Sequence, residues 1–298
     1  MSNFDDIFEV QPTGGGSEER PFDKEAWAEQ KQAERKAAYE LADATALEVA
    51  GDGDKFRDYL DLQTRMSYYS VTNALLILAQ KPLATQLKDF DSWEKEGASI
   101  RRNQNAISIL EPGNEYKRND GSIGTSYNVK KVFDISQTTA RGKAQPTVST
   151  DDRLLLKALI HRSPVPIQMT DELPGNSGAV YDYDQKAILV RRGMEAPDLF
   201  RCVSVALARA EMDVSGGISE PAQAAFPAYC VSYMLCRQNG VDVSGYNFSQ
   251  LPESLTQADA REIRETLSEI KDTAHTISAR MSRVLEQNKT PRAKEQER

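Results

Sequence analysis

The residues best placed to do chemistry lie in the middle of the chain and mix cations with aromatic rings. Arg65, Tyr68 and Tyr69 close one helical stretch, and Phe90 and Trp93 precede the segment GASIRRNQ with its adjacent Arg101 and Arg102. Tyr116, Lys117 and Arg118 are consecutive, and Tyr127, Lys130 and Lys131 share a strand-like segment. Cations can track phosphates while flat rings stack on unpaired bases, at roughly 1–3 kcal/mol per base. The mixture therefore suits a single-stranded nucleic acid, whereas a duplex needs no such rings. The same residues also fit a second reading, with the rings in the core and the basic pairs as solvated strand ends. Metal and nucleophile chemistry has less to work with. Cys202, Cys230 and Cys236 form no CxxC pair, and His161 and His275 fall in separate helical segments.

Charge supports the same region. The net charge is −8, but residues 1–54 hold 5 Lys/Arg against 14 Asp/Glu, residues 55–143 hold 14 against 10, and residues 144–298 hold 18 against 21. The centre is the cationic part of an acidic chain. Three unpaired cysteines fit a reducing compartment. The start MSNFDDIFEV is acidic where a signal peptide is basic and then apolar, and the longest apolar run, ALLILA, is too short to span a bilayer. A soluble, cytoplasmic protein is expected.

These side chains need elements to hold them. Residues 1–23, with PTGGGSEER and scattered acids, read as disordered. A helix follows through ALEVA to GDGD, its thin apolar stripe predicting a solvated or loosely docked element. DKFRDYLDLQTRMSYY and SVTNALLILAQKP read as two helices, the second capped by Ser70, and KDFDSWEKEG as a short third. Strands are expected at 106–110 and 126–136, separated by the turn-rich loop EPGNEYKRNDGSIGT. The second half opens with a helix capped by Ser149 or Thr150, then three short strands, then two apolar helices. Ala260, Ile263, Leu267, Ile270, Ala274, Ile277, Met281 and Val284 recur at alternating steps of three and four, the seam of a helix roughly 45 Å long that requires a partner surface, either on the second domain, the favoured option, or on another copy.

With those elements placed, the stretch from Tyr69 to Thr138 resembles the N-terminal domain of ArdC-type antirestriction proteins of plasmids and conjugative elements. The pattern includes Tyr69, Ser70, Asn73, Leu76, Ala84, Thr85, Phe90, Trp93, Gly97, Arg101, Arg102, Ile107, Ile109 and Pro112, then Val132, Phe133, Asp134, Ser136, Gln137 and Thr138. The resemblance implies single-stranded DNA binding and adds Asn73 to the candidate surface. Where that family has a Lys- and Gly-rich turn after the basic pair, this chain has RRNQNA.

ArdC-type proteins are similar to zinc peptidases in their second half, where a strand hairpin leads into a helix bearing His-Glu-x-x-His. Residues four apart share a helix face, so two imidazoles reach one Zn²⁺ while the Glu activates its water. This chain keeps the frame GAVYDYDQKAILVRRGMEAPDLFRCVSVALARAEMD, but the motif falls on Val205, Ala206 and Arg209, and the expected later glutamates fall on Pro227 and Tyr229. Arg209 is expected to pair with Glu211, Asp213 or Glu220, or to reach solvent.

The expectation is an α+β protein: a disordered acidic tail (1–23), a helical extension (24–53), an ArdC-like single-stranded DNA-binding domain (54–143), a degenerate zincin-like domain (149–252), a long C-terminal helix (255–287) and a disordered tail (288–298). It would be a noncatalytic single-stranded DNA-binding protein of a mobile element, with no cofactor, no metal and no membrane partner. Its DNA surface would comprise Arg65, Tyr69, Asn73, Trp93, Arg101, Arg102, Tyr116, Lys117, Arg118, Tyr127, Lys130 and Lys131. The alternative is an antirestriction module that inhibits a host enzyme through its acidic N-terminus and helical tail, the tail meeting a protein partner or a second copy.

Overall fold

The computed structural model describes residues 23–118, 120–141, 151–175, 177–216 and 220–288. The two tails expected to be disordered fall outside the described residues, apart from Asp23 and Asn288, which flank the first and last helices. Ser149 and Thr150 also lie outside them; the cap of the fifth helix is Asp151, which accepts from the Arg153 N–H.

Helix α1 (Lys24–Gly51) starts on the side chain of Asp23, which accepts from the N–H groups of Glu25 and Ala26. Its first half is solvated, but its second half buries Ala38, Ala42, Thr45, Ala46, Val49 and Ala50, so the expectation of a loosely docked helix fails there. A stripe of alanines carries little hydropathy, yet it lets backbones approach closely, and α1 packs on α3 (Val71–Gln80) and on the last helix, α9 (Ala260–Gln287). Helix α2 (Gly53–Arg65) follows on an Asp52 cap. Gly53 has no substitute there, because a Cβ would lie 1.9 Å from the Phe248 carbonyl oxygen.

Strands β1 (Leu87–Lys88), β2 (Ile107–Lys117) and β3 (Ile123–Asp134) form an antiparallel sheet in the order β1-β3-β2, with α4 (Phe90–Lys95) between β1 and β2 in sequence. The expected loop 111–125 is instead mostly strand, continuing β2 and β3 into a long hairpin. Pro112 is tolerated because β2 is an edge strand and the register shifts between Pro112 and Glu115. The open edge of β2 is covered by two side-chain amides of α3. Asn73 bonds the Leu110 N–H (2.7 Å) and C=O (2.8 Å), and Gln80 does the same for Ser108 (both 2.9 Å).

In the second half, α5 (Asp152–Ile160) precedes β4 (Ile167–Thr170), β5 (Ala179–Asp182) and β6 (Ala187–Arg191), whose sheet has the order β4-β6-β5, with β4 parallel and β5 antiparallel to β6. Helices α6 (Ala196–Val214) and α7 (Ala225–Asn239) pack together, and a short α8 (Glu253–Thr256) leads to α9. The seam residues Ile263, Leu267, Ile270, Ala274, Ile277 and Met281 are buried against α5, α7 and α1 of the same chain. The partner surface for the tail is therefore internal, as the favoured of the two options had it, and a protein partner or second copy does not meet these seam residues. Arg264 pairs with Asp43 of α1, and Arg280 with Glu211 of α6. The result is a mixed α+β fold with two small sheets and a long C-terminal helix. No helix among the described residues is long and apolar enough to cross a membrane.

Candidate nucleic-acid interface

Consecutive strand residues point to opposite faces of a sheet, and this divides the sequence-predicted site between the two sides of the β2–β3 hairpin. Lys130 stands opposite Ile109, on the face of Glu111 and Val132. Lys131 stands opposite Ser108 and Tyr127 opposite Pro112, on the other face.

On the Lys130 side, β1, the start of α3, α4 and the hairpin enclose an open groove of about 530 Å³, with Ile109 and Val132 among its lining. Tyr69, Asn73 and Lys130 of the expected surface meet there, joined by Lys88, Asp89 and Glu111. The groove is not the cationic channel expected. Lys130 Nζ lies 3.0 Å from Asp89 and 3.2 Å from Glu111, while Lys88 pairs with Glu96 and lies 4.9 Å from the centre of the Trp93 ring. The Ser92 hydroxyl, Lys130 and the Ser92 N–H hold the Asp89 carboxyl down at about 2, so it is ionised; its partner carboxylates push the Lys130 ammonium up. Burial pushes the Tyr69 phenol well above its usual range, and its ring lies 4.5 Å from that of exposed Tyr68.

Two expected contact residues are structural instead. Trp93 is only 1 % exposed and its indole N–H donates to the Phe133 carbonyl at 2.9 Å, so no base can stack on it. The Asn73 amide is spent on Leu110.

The exposed rings divide between the two faces. Tyr127, 40 % exposed, lies with Lys131 on the opposite face, towards Tyr39 of α1, which is 41 % exposed, whereas Tyr116, 51 % exposed, stands opposite Gly124 and so shares Lys130's face at the end of the hairpin. Tyr39's phenol is pushed up by burial first and then by Tyr127, while Arg35 and Arg264 pull it down. Gly124 makes room at the hairpin's end: a Cβ there would come 2.8 Å from the Tyr116 ring and 3.0 Å from the Arg118 guanidinium. Lys131 Nζ donates to Ser108 Oγ at 2.7 Å, and its charge helps to lower Glu34 of α1. Tyr39 and Arg35 were missed by the sequence reasoning because α1 reads as an extension outside the binding domain. The signal available was an aromatic and a cation spaced i, i+4 on an otherwise polar helix.

The remaining candidates stand apart. Arg65 donates to the Pro82 carbonyl at 2.9 Å, Arg101 and Arg102 are exposed on the loop after α4, where the Arg101 N–H donates to the Gln137 carbonyl, and Lys117 is exposed beside Tyr116.

In the second half, two of the expected metal positions, Val205 and Tyr229, line a cavity of about 230 Å³ with Arg201, Cys202, Gly245 and Tyr246. Ala206 is buried, and the Tyr229 hydroxyl accepts from the Asn247 N–H at 2.7 Å. The carboxylates expected to pair with Arg209 are engaged elsewhere: Glu211 with Arg280, and Asp213 with Lys186 (2.7 Å) and the Tyr181 hydroxyl (2.5 Å). Burial pushes all three cysteine thiols up, away from the thiolate a metal requires. Val and Ala offer no donor atom and Arg repels a cation, so these residues do not fit a divalent metal. Among the described residues, no three His, Cys, Asp or Glu side chains converge.

No known family profile matches the sequence, and no curated protein matches it. Solved structures do match. The metal-free crystal structure of the antirestriction ArdC protein from the R388 plasmid superposes with a TM-score of 0.51 at 15 % identity, over 72 % of this chain and 86 % of that one. The Mn(II)-bound structure of the same protein gives 0.50 at 16 % identity, over 75 % and 97 %. At such identity the likeness is one of fold, and the fold of this chain is that of an ArdC-type antirestriction protein.

Proposed function

We propose that this chain is a noncatalytic single-stranded DNA-binding protein of a conjugative element or plasmid, acting in the cytoplasm in an antirestriction role. The observation that carries the reading is the hairpin with α1: exposed Tyr127 and Tyr39 lie with Lys131 and Arg35 on its α1-facing side, and exposed Tyr116 lies with Arg118 at its end. Rings supply stacking surface and cations supply phosphate contacts, the combination a single strand requires. The likeness to an antirestriction protein supports the biological setting. In this reading residues 54–143 together with α1 bind the strand, and residues 149–252 act as a scaffold. That half has the frame of a metallopeptidase, but Val205, Ala206, Arg209 and Tyr229 do not fit the metal that the Mn(II)-bound neighbour carries, so no catalytic step is assigned to it.

The alternative, inhibition of a host enzyme by the acidic N-terminus and the helical tail, has lost one of its two arms, because the α9 seam is buried within the chain.

Fluorescence anisotropy with labelled single- and double-stranded oligonucleotides tests the proposal. A preference for the single strand that weakens with salt is expected, and R118A and K131A should each reduce the slope of log affinity against log salt by about one. Equal binding of duplex and single strand, or no binding of either, would overturn it.

A further inference from the structure

Helix α1 packs on β3, and in its solvated half only a few side chains are sheltered. Between residues 24 and 37, Lys31, Glu34 and Arg35 are half-buried and the rest are exposed. Lys31, Arg35 and Tyr39 recur at steps of four, so two cations and a ring share one stripe of the helix. Glu34 interrupts that stripe. Its Oε2 accepts from Lys31 Nζ at 2.8 Å and its Oε1 from Gln30 Nε2 at 3.2 Å, so both oxygens are held. The Lys31 hydrogen bond, helped by Gln30 and by the charge of Lys131 on β3, keeps this carboxyl below its ordinary value. We infer that Glu34 stands in for a phosphate: a bound single strand displaces its carboxylate, and Lys31 and Gln30 then hold a phosphate of the strand in its place.

A carboxylate and a phosphodiester each present two oxygens that share one negative charge, so donors that converge on the first also suit the second. The ammonium of Lys31 and the amide of Gln30 already converge in this way, on the helix that carries the exposed Tyr39 ring. Displacement costs little. The Lys31 and Glu34 side chains remain 39 % and 29 % exposed, and an ion pair open to water contributes little to stability. Once displaced, the carboxylate stays tethered to the same turn of α1, where it repels the phosphate and competes for Lys31. Glu34 therefore lowers the affinity of the face for a strand, and removing its charge raises it.

Because a strand must bind for Glu34 to compete with it, the stand-in rests on the single-stranded DNA reading, and the test separates the two. One labelled single strand is titrated at neutral pH and low salt with the full chain as wild type, E34Q, E29Q, K31A and K31A/E34Q. E34Q should bind about fivefold more tightly, the effect of one unit charge at 4 Å across water, with an unchanged melting temperature. E29Q makes the same change in net charge about 140° around the helix and should alter affinity by less than about twofold. K31A should weaken binding, and should weaken it in the E34Q background as well, where Lys31 has no carboxylate left to neutralise. An E34Q chain that binds no more tightly than E29Q, or a K31A change without effect in the E34Q background, overturns the stand-in and leaves single-stranded binding intact. Failure of wild type and every variant to bind the strand removes both proposals.

Discussion

At the scale of single residues, the side chains that carry the resemblance to ArdC-type proteins mostly hold the backbone in place. Ser70 caps α3, Asn73 closes the β2 edge, and Trp93 bonds Phe133. The carboxylate of Asp134 accepts from the N–H groups of Thr85 (2.7 Å), Gln86 (3.0 Å) and Ser136 (2.9 Å), and Gln137 bridges Asp134 and Asn105. Asn73→Ala leaves a buried N–H and C=O of Leu110 without partners and should destabilise the chain by about 2–3 kcal/mol, read from denaturant midpoints. Asp134 is fully buried, which alone would raise its pKa, but the hydrogen bonds from Ser136, Thr85 and Gln86 together outweigh burial and hold it below the ordinary value. A folded pKa below the unfolded one gives stability that is fully present above the usual carboxylate value of about 4 and lost as pH falls toward the folded value. Asp134→Asn should therefore be less stable than wild type at neutral pH and show a shallower loss in acid; parallel acid-unfolding curves would contradict this.

At the scale of elements, one helix and one hairpin make the proposed binding face together, and neither does so alone. Gly124→Ala is a selective probe of the hairpin. The atoms its Cβ meets are the far ends of the Tyr116 and Arg118 side chains, which can swing away, so stability should change little. Affinity for a single strand should fall several-fold, toward the loss for Tyr116→Ala, because one stacked ring contributes roughly 1–3 kcal/mol. Unchanged affinity in both variants would place the interface elsewhere. The dependence on α1 is testable by truncation. A chain starting at Asp54 loses Ala38, Ala42, Ala46, Val49 and Ala50 from the core, and should show no cooperative melt by circular dichroism, so loss of activity in it would say nothing about the acidic tail.

At the scale of the whole molecule, one hydrophobic core runs from α1 through the first sheet to α6, α7 and α9. Asp61 of α2 ties the halves further, accepting from the Tyr233 hydroxyl (2.8 Å) and from Arg237 Nε (2.8 Å) and Nη2 (3.1 Å) of α7. Gly53 meets the Phe248 backbone at the same junction. The chain should unfold in a single calorimetric transition, and Gly53→Ala, which forces backbone against backbone, should lower the melting temperature of the whole. Two resolved transitions, with only one shifted by G53A, would show that the halves fold independently.

The main helices, the Ser70 cap, the cationic centre and the absence of ligand-forming residues at Val205, Ala206 and Arg209 are legible along the chain, because each depends on neighbours a few residues apart or on side-chain chemistry alone. The seam of α9 and its packing on the second domain were legible too, but not its contact with α1. Which rings face solvent, and with which cations, was decided by the tertiary structure. A strand sends Lys130 and Lys131 to opposite faces, α4 turns Trp93 into the core, and α1 returns from 88 residues upstream of Tyr127 to bring Tyr39 towards it. Exposure and adjacency are properties of packing between distant segments, and no local pattern encodes them.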